Sequence, residues 1–398
     1  MLRAKAATNR EPHEFSLVVG GPLYHAYLST HLAHPPIGLV HRRLLVYILI
    51  TWVPLCVLSA FDARGSDVAV SFLRDIDAHT RLLVALPLLI AAEPFVHERM
   101  KSAVRQFIDR GIIAPADLRR FFAAVVSSVR LRDSTTLEII LLLVAFVGGH
   151  FLWESRISLQ IGTWYNERGI DGTTHLSLAG RWYAFVSLPL FRFLALRWLA
   201  RLVLVWYRFL WRVARMPLRL NALHPDRTGG LGFLNTSVFA FVPILVAETS
   251  LLSAMIAQRI WHEGATLPQF KIEILGAVGF LMLLVLLPQT FFIPQLERTW
   301  RAGGGEYGIF GSRYVNNFRR KWLCAHPHTH ESLVGSADIQ SLADLAGAYE
   351  VIRDMYLVPI TRNTVVRLAF AIVIPFLPLA LTMIPFEEIV DRALSTLF

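Results

Sequence analysis

Seven apolar runs punctuate this chain, at residues 44–61, 82–96, 137–153, 182–206, 233–256, 272–293 and 365–384. A helix needs roughly 17–25 mostly apolar residues to cross the hydrocarbon core of a bilayer. Lipid offers no partners to an open backbone, so spanning segments are helices or closed barrels. Hydrophobicity is continuous within each run rather than alternating, which excludes the barrel. The expected fold is all-α, a polytopic helical membrane bundle of about seven transmembrane helices with amphipathic cytoplasmic helices attached.

The composition agrees, with 55% hydrophobic and only 17% charged residues, against about a quarter charged in soluble domains. A net charge of +10 raises the question of nucleic acid. The basic residues instead flank the apolar runs, where the positive-inside rule puts them, so no nucleic-acid partner is expected. Cys56 and Cys324 fall in the first run and in a cytoplasmic connection, so no disulfide framework is expected. His41-Arg42-Arg43 before the first run marks an uncleaved span entered from the cytoplasm.

The connections alternate in charge. Asp62, Asp67, Asp75 and Asp77 follow the first run, whereas Arg99, Lys101, Arg105 and Arg110 follow the second. Basic stretches return after the fourth and sixth runs, and Glu387, Glu388 and Asp391 follow the last. This pattern predicts an N-in, C-out topology. It divides the chain into a cytoplasmic segment (1–43), a membrane bundle of three helical hairpins (44–300), a cytoplasmic helical segment (301–362) and a last membrane helix with a short tail (363–398). The runs at 82–96 and 365–384 carry two prolines each, Pro87 and Pro94 against Pro375 and Pro378, and are either complete or re-entrant. Leu86-Pro87, Leu188-Pro189 and Leu287-Pro288 recur about a hundred residues apart, either as an internal repeat of the kind transporters use or as a feature of proline-tolerant membrane helices.

Charges at membrane depth cost roughly 2.5–3.5 kcal/mol on insertion scales unless paired or hydrated. Glu93, Arg192 and Glu248 are the deepest, with His150 near an outer end. Each either lines a pathway or closes a structural ion pair, such as Arg192 with Glu93 or Glu248. Arg197, Arg201, Arg208, Arg212 and Arg215 share one helical face, a stripe fit for anionic lipid headgroups or an anion vestibule.

The segment 224–234 holds His224, Asp226, Arg227, Gly229, Gly230 and Gly232 just before the fifth run. It reads either as a tight turn or as a cytoplasmic gate or ion-binding loop. It lacks the Gly-Lys-Ser/Thr ending of a nucleotide-binding loop, and no cofactor is expected. Cys324, His326, His328 and His330 place metal-capable side chains close together. Residues 336–356 form an amphipathic pattern, with Ile339, Leu342, Leu345, Ala346 and Tyr349 on one face, expected to pack beneath the bundle. No Gly-x-Ser-x-Gly elbow or His-Glu-x-x-His pair occurs, so an enzyme is not the expected class.

Segment 224–234, together with Ser336-Ala337-Asp338-Ile339-Gln340-Ser341-Leu342-Ala343-Asp344-Leu345 and the tail 377–388, resembles a family of bacterial multi-pass inner-membrane proteins. The resemblance covers the half of the chain from His224 onward. It implies a cytoplasmic-membrane location and an integral helical fold, and carries no activity over to any residue. The functional expectation is an ion channel or transporter moving a small ion, with homo-oligomerisation compatible. The alternatives are a non-transporting scaffold or sensor acting through its cytoplasmic helices, and an intramembrane enzyme on a lipid-like substrate.

Overall fold

A computed structural model describes residues 15–62, 72–148, 164–168, 174–323 and 335–380. The helices are α1 (Pro22–Ser29), α2 (Val40–Phe61), α3 (Ile76–Asp109), α4 (Leu118–Arg132), α5 (Thr135–Gly148), α6 (178–214), α7 (Gly232–Glu263), α8 (Leu267–Leu323), α9 (Ala337–Arg353) and α10 (Arg362–Ala380). A short antiparallel ribbon, β1 (Asn166–Arg168) with β2 (Thr174–Leu176), precedes α6.

Local chemistry sets the helix starts. Asp75, Ser134, Ser177 and Thr361 each precede a helix, and each side chain accepts a first-turn amide, from Ala78, Leu137, Gly180 and Thr364. α7 closes on Gly264 in the left-handed conformation.

Five helices are long and apolar enough to cross a membrane: α2, α3, α7, α8 and α10. Two of the seven expected spans fall short of that description. α5 is described only to Gly148, and the rest of its expected span lies outside the described residues. α6 is long enough but is not among the five, and between 183 and 200 most of its side chains are buried in the bundle. α3 runs unbroken through Pro87 and Pro94 as a 34-residue helix, so the run at 82–96 is not interrupted.

The Leu-Pro sites distort their helices in opposite senses. Proline removes an amide and crowds the preceding turn. In α3 and α6 the turns before Leu86-Pro87 and Leu188-Pro189 widen to π geometry. In α8 the backbone at Leu287-Pro288 tightens to 3-10 geometry, so the second and sixth runs are not structural copies there. Neighbouring helices take up carbonyls that the prolines leave. Trp182 Nε1 donates to the Ile50 carbonyl, four residues before Pro54, at 3.0 Å. Tyr207 Oη donates to the Leu284 carbonyl, four residues before Pro288. In lipid, that compensation is what makes a mid-helix proline tolerable.

The largest core lies in the half where the basic connections gather. Phe107 of α3, Phe121 of α4, Trp206 and Phe209 of α6, and Phe292 of α8 are all buried there. Phe15, ahead of α1, stacks into the same cluster with its ring 4.9 Å from Phe209. The chain before α2 is therefore part of the bundle core, with Leu17 and Val18 also buried. α4 packs against the bundle through Phe121 and Val125.

α8 is the outlier in length. Its 57 residues extend about 85 Å at 1.5 Å per residue, far beyond a hydrocarbon core of about 30 Å. Its lower half leaves the bundle and pairs with α9, forming a two-helix arm. Tyr314 Oη donates to the Asp338 carbonyl at 3.1 Å, and Lys321 Nζ and Trp322 Nε1 both reach the Asp338 carboxylate. The apolar face expected to pack beneath the bundle meets α8 instead. Leu342 and Leu345 are half-buried there, while Ile339, Ala346 and Tyr349 stay exposed.

Candidate functional site

α2, α3, α5 and α6 bring four charged side chains together inside the bundle. Glu93 of α3 pairs with Arg43 of α2 through Oε2 and with Arg197 Nη1 of α6 through Oε1, the latter at 3.5 Å. Arg197 Nε also reaches Glu138 Oε1 of α5 at 3.0 Å. The four side chains are nearly water-free, with Arg43 at 1% and Glu93 at 4% exposure. Burying such charges costs several kcal/mol per ion unless geometry and hydrogen bonds compensate. Here each carboxylate is shared: Glu138 Oε2 also accepts the Leu23 amide of α1 at 2.9 Å. Tyr27 of α1 and Tyr47 of α2 close one side, their hydroxyls 2.6 Å apart, with the Arg43 guanidinium over the Tyr27 ring.

A second layer ties in the segment before α1. Arg132 Nη1 donates to the Ser16 carbonyl at 2.5 Å, and its other nitrogens hold the half-exposed Asp133. His97 Nδ1 lies 2.7 Å from Ser16 Oγ. Arg201 Nη2 donates to the Val18 carbonyl at 3.3 Å.

The charges do not balance. Among the described residues, four arginines are buried in this region (Arg43, Arg132, Arg197 and Arg201) against two glutamates (Glu93 and Glu138). Asp133 answers Arg132, and the glutamates answer Arg43 and Arg197. Among the described residues Arg201 forms no ion pair, Glu93 and Glu138 acting on it only at longer range, and its Nη1 is buried with no hydrogen-bond partner. Arg43 Nε and Nη2 are also unpartnered. An orphaned buried donor is uncommon in folded proteins and calls for an explanation such as an ion or water.

The expected stripe divides in two. Arg197 and Arg201 face the interior, whereas Arg208 and Arg215 are exposed and Arg212 is half-buried. The cause is a wide turn at Arg201–Tyr207. An extra residue in a turn rotates everything after it by about 100°. Arg215 instead covers the Trp211 ring at 4.1 Å.

Arg192 and Glu248 stand apart from this cluster. Arg192 is half-buried and pairs with neither Glu93 nor Glu248. It lies within electrostatic reach of Arg81, whose Nη2 donates to both carboxylate oxygens of Asp77, at 2.9 and 2.8 Å. Glu248 lines an apolar cavity. His150 and the group Cys324, His326, His328 and His330 lie outside the described residues. Among the described residues no cluster of metal-ligating side chains occurs.

The loop before α7 is a tight knot. Asp226 Oδ1 accepts the Thr228 and Gly230 amides at 2.9 and 3.1 Å, and Oδ2 accepts the Gly232 amide at 2.8 Å. Burial works against the Asp226 charge, but the three amides outweigh it and hold the carboxyl below the ordinary aspartate range. His224 Nδ1 sits 2.9 Å from Oδ1 and Arg110 approaches Oδ2. Arg227, Gly229 and Gly230 all have positive φ, which the glycines adopt without strain. The Arg227 carbonyl accepts the Tyr356 amide at 2.7 Å. The carboxylate is thus occupied by its own backbone, and the loop fastens α3, α7 and the end of the arm together.

Sequence reasoning identified Glu93, Arg197 and Arg201 but missed Arg43, Glu138, Arg132 and Ser16. Arg43 and Glu138 sit at the ends of apolar runs, where charges ordinarily meet water. Residues 15–23 carry no long hydrophobic pattern that would announce burial. Comparison with family models, with curated proteins and with solved structures yields no match, so the reading of this site rests on its own residues.

Proposed function

We propose that this chain is a seven-helix, N-in and C-out protein of the bacterial inner membrane that moves a small anion across it. The observation carrying this reading is Arg201, a buried guanidinium that forms no ion pair among the described residues and keeps a free donor, beside a cluster already neutralised by its glutamates. An uncompensated buried charge is strongly unfavourable, and a mobile anion supplies the missing counter-charge. Charged groups mark out a route along α3 and α6. Asp77, Arg81 and Arg192 stand toward one end, and Glu93, Arg197 and Arg201 toward the other. Buried Leu82, Leu86 and Leu89 lie between the two groups along α3 and act in this reading as an apolar gate. Residues 15–23 cover the inner group and act in this reading as its closure.

The test is flux through purified protein in liposomes, with chloride, potassium and proton gradients imposed separately. Chloride flux above empty liposomes is expected, lowered about tenfold in R201Q, equivalent to about 1.4 kcal/mol of lost anion stabilisation. R208Q, on the exposed part of the same helix, should match the parent. Movement of potassium or protons alone would overturn the anion assignment.

A second reading, a scaffold or sensor, is favoured by the arm. Ile309 and Phe310 of α8 are 59% and 55% exposed, well away from the apolar membrane run. That reading predicts no flux of any ion and a protein partner lost on removal of α9.

A further inference from the structure

Between α6, α7 and α8 lies a cavity of about 250 Å³, and one of its lining rings, Trp198, lies 5.8 Å from the Arg201 guanidinium. Leu199 and Leu202 of α6, Ile244 of α7, and Phe280 and Leu284 of α8 contribute apolar wall. Glu248 is its single ionisable lining residue. Leu199 and Phe280 are 45% and 62% exposed on the outer surface of the bundle, so the cavity opens sideways, at the depth where these helices meet lipid. An apolar cavity of about 150 Å³ already accepts benzene, and this one has room for a longer chain.

Glu248 is the feature that selects an occupant. No described residue donates a hydrogen bond to it or pairs with it. The cation acting on it electrostatically is Arg81, which gives its Nη2 to the Asp77 carboxylate and makes no hydrogen bond to Glu248. An ionisable group at membrane depth without a protein partner marks a functional site by default. A carboxylate on an otherwise apolar wall suits a ligand with one positive end and a hydrocarbon tail.

We infer that this cavity is a lateral binding site for a cationic amphiphile, an alkylammonium entering from the bilayer with its charge on Glu248 and its tail between Leu202, Ile244 and Leu284. The occupant's charge is opposite to that of the ion assigned to the Arg201 cluster, so this site works as a separate, lipid-facing one and does not depend on that assignment.

Trp198 also lines the cavity and reports on it. Protein in phosphatidylcholine nanodiscs is titrated with a bromoalkyl ammonium of octyl length, whose bromine quenches a tryptophan on contact. The parent should show a saturable quenching component that disappears in W198F. A195F, which fills the cavity without touching the Trp198 indole hydrogen bond to the Leu89 carbonyl, should abolish it as well. E248Q should weaken binding about tenfold, the scale of one lost charge-assisted contact, and leave the bromoalkyl alcohol of equal length unaffected. Quenching that rises without saturation, equally in parent and A195F, would overturn the site. Saturable binding of equal strength in E248Q would overturn the cationic ligand class.

Discussion

The ionic cluster inside the bundle and the α8–α9 arm both carry dense charge, and they handle it in opposite ways. In the cluster every carboxylate serves several donors, and the side chains are withdrawn from water. In the arm the pairs reach water, as with Arg301 and Glu297 one turn apart, at 70% and 41% exposure. The difference shows that position, rather than number, gives charge its structural weight. Removing one partner from a buried pair leaves an uncompensated ion, whereas water replaces the partner of an exposed one.

The comparison breaks most easily at Glu93. E93A should cost about 3–5 kcal/mol, because it takes the paired carboxylate from buried Arg43 and leaves Arg197 with Glu138 alone. Denaturant unfolding in detergent measures this, and a loss under 1 kcal/mol would mean that water already reaches the cluster. The next effect is expected at the loop before α7, where D226N replaces an acceptor of three amides by a group with one acceptor oxygen. It should cost about 2 kcal/mol. Because folding lowers the Asp226 pKa, its contribution is present above the ordinary aspartate value of about 3.9. It is lost as pH falls through the lower, folded value. Parent and D226N should therefore converge in stability under strong acid and differ fully at neutral pH.

Two adjacent glycines sharpen the contrast within α8. A Cβ on Gly303 would lie 2.5 Å from the Ala222 Cβ, whereas one on Gly304 meets nothing within 4 Å. G303A should cost about 1–3 kcal/mol by overpacking, and G304A should stabilise the helix by about 0.5–1 kcal/mol. Equal effects would show that the arm does not seat on residue 222. The smallest change belongs to E297Q, expected to shift unfolding by less than about 0.5 kcal/mol.

Much of the fold was legible because helices in lipid must satisfy their own backbone, and long apolar runs follow directly. In the candidate site, Glu93 was legible as a charge interrupting such a run, whereas Arg197 and Arg201 were read as part of a stripe for anionic lipid or an anion vestibule and their burial came from the structure. The site was not legible at Arg43 or Glu138, whose placement beside the ends of runs looks the same whether they point to water or inward. The shared face of the five arginines was correct for an ideal helix and failed below Tyr207, because one wide turn changes the phase of everything that follows. Of the amphipathic face expected in 336–356 only Leu342 and Leu345 are part-buried, because periodicity along one helix does not fix how it turns toward a partner.

By itself, then, the sequence determined the helical class, the apolar segments and the turn chemistry around Asp226, since each depends on neighbours along the chain. Only the tertiary structure decided that Glu93 joins Arg43 and Arg197 instead of Arg192, that Arg201 forms no ion pair among the described residues, and that Glu248 faces an apolar cavity. Those outcomes depend on how helices rotate and cross. That geometry arises from contacts between residues as far apart as Arg43 and Arg197, which no local pattern records.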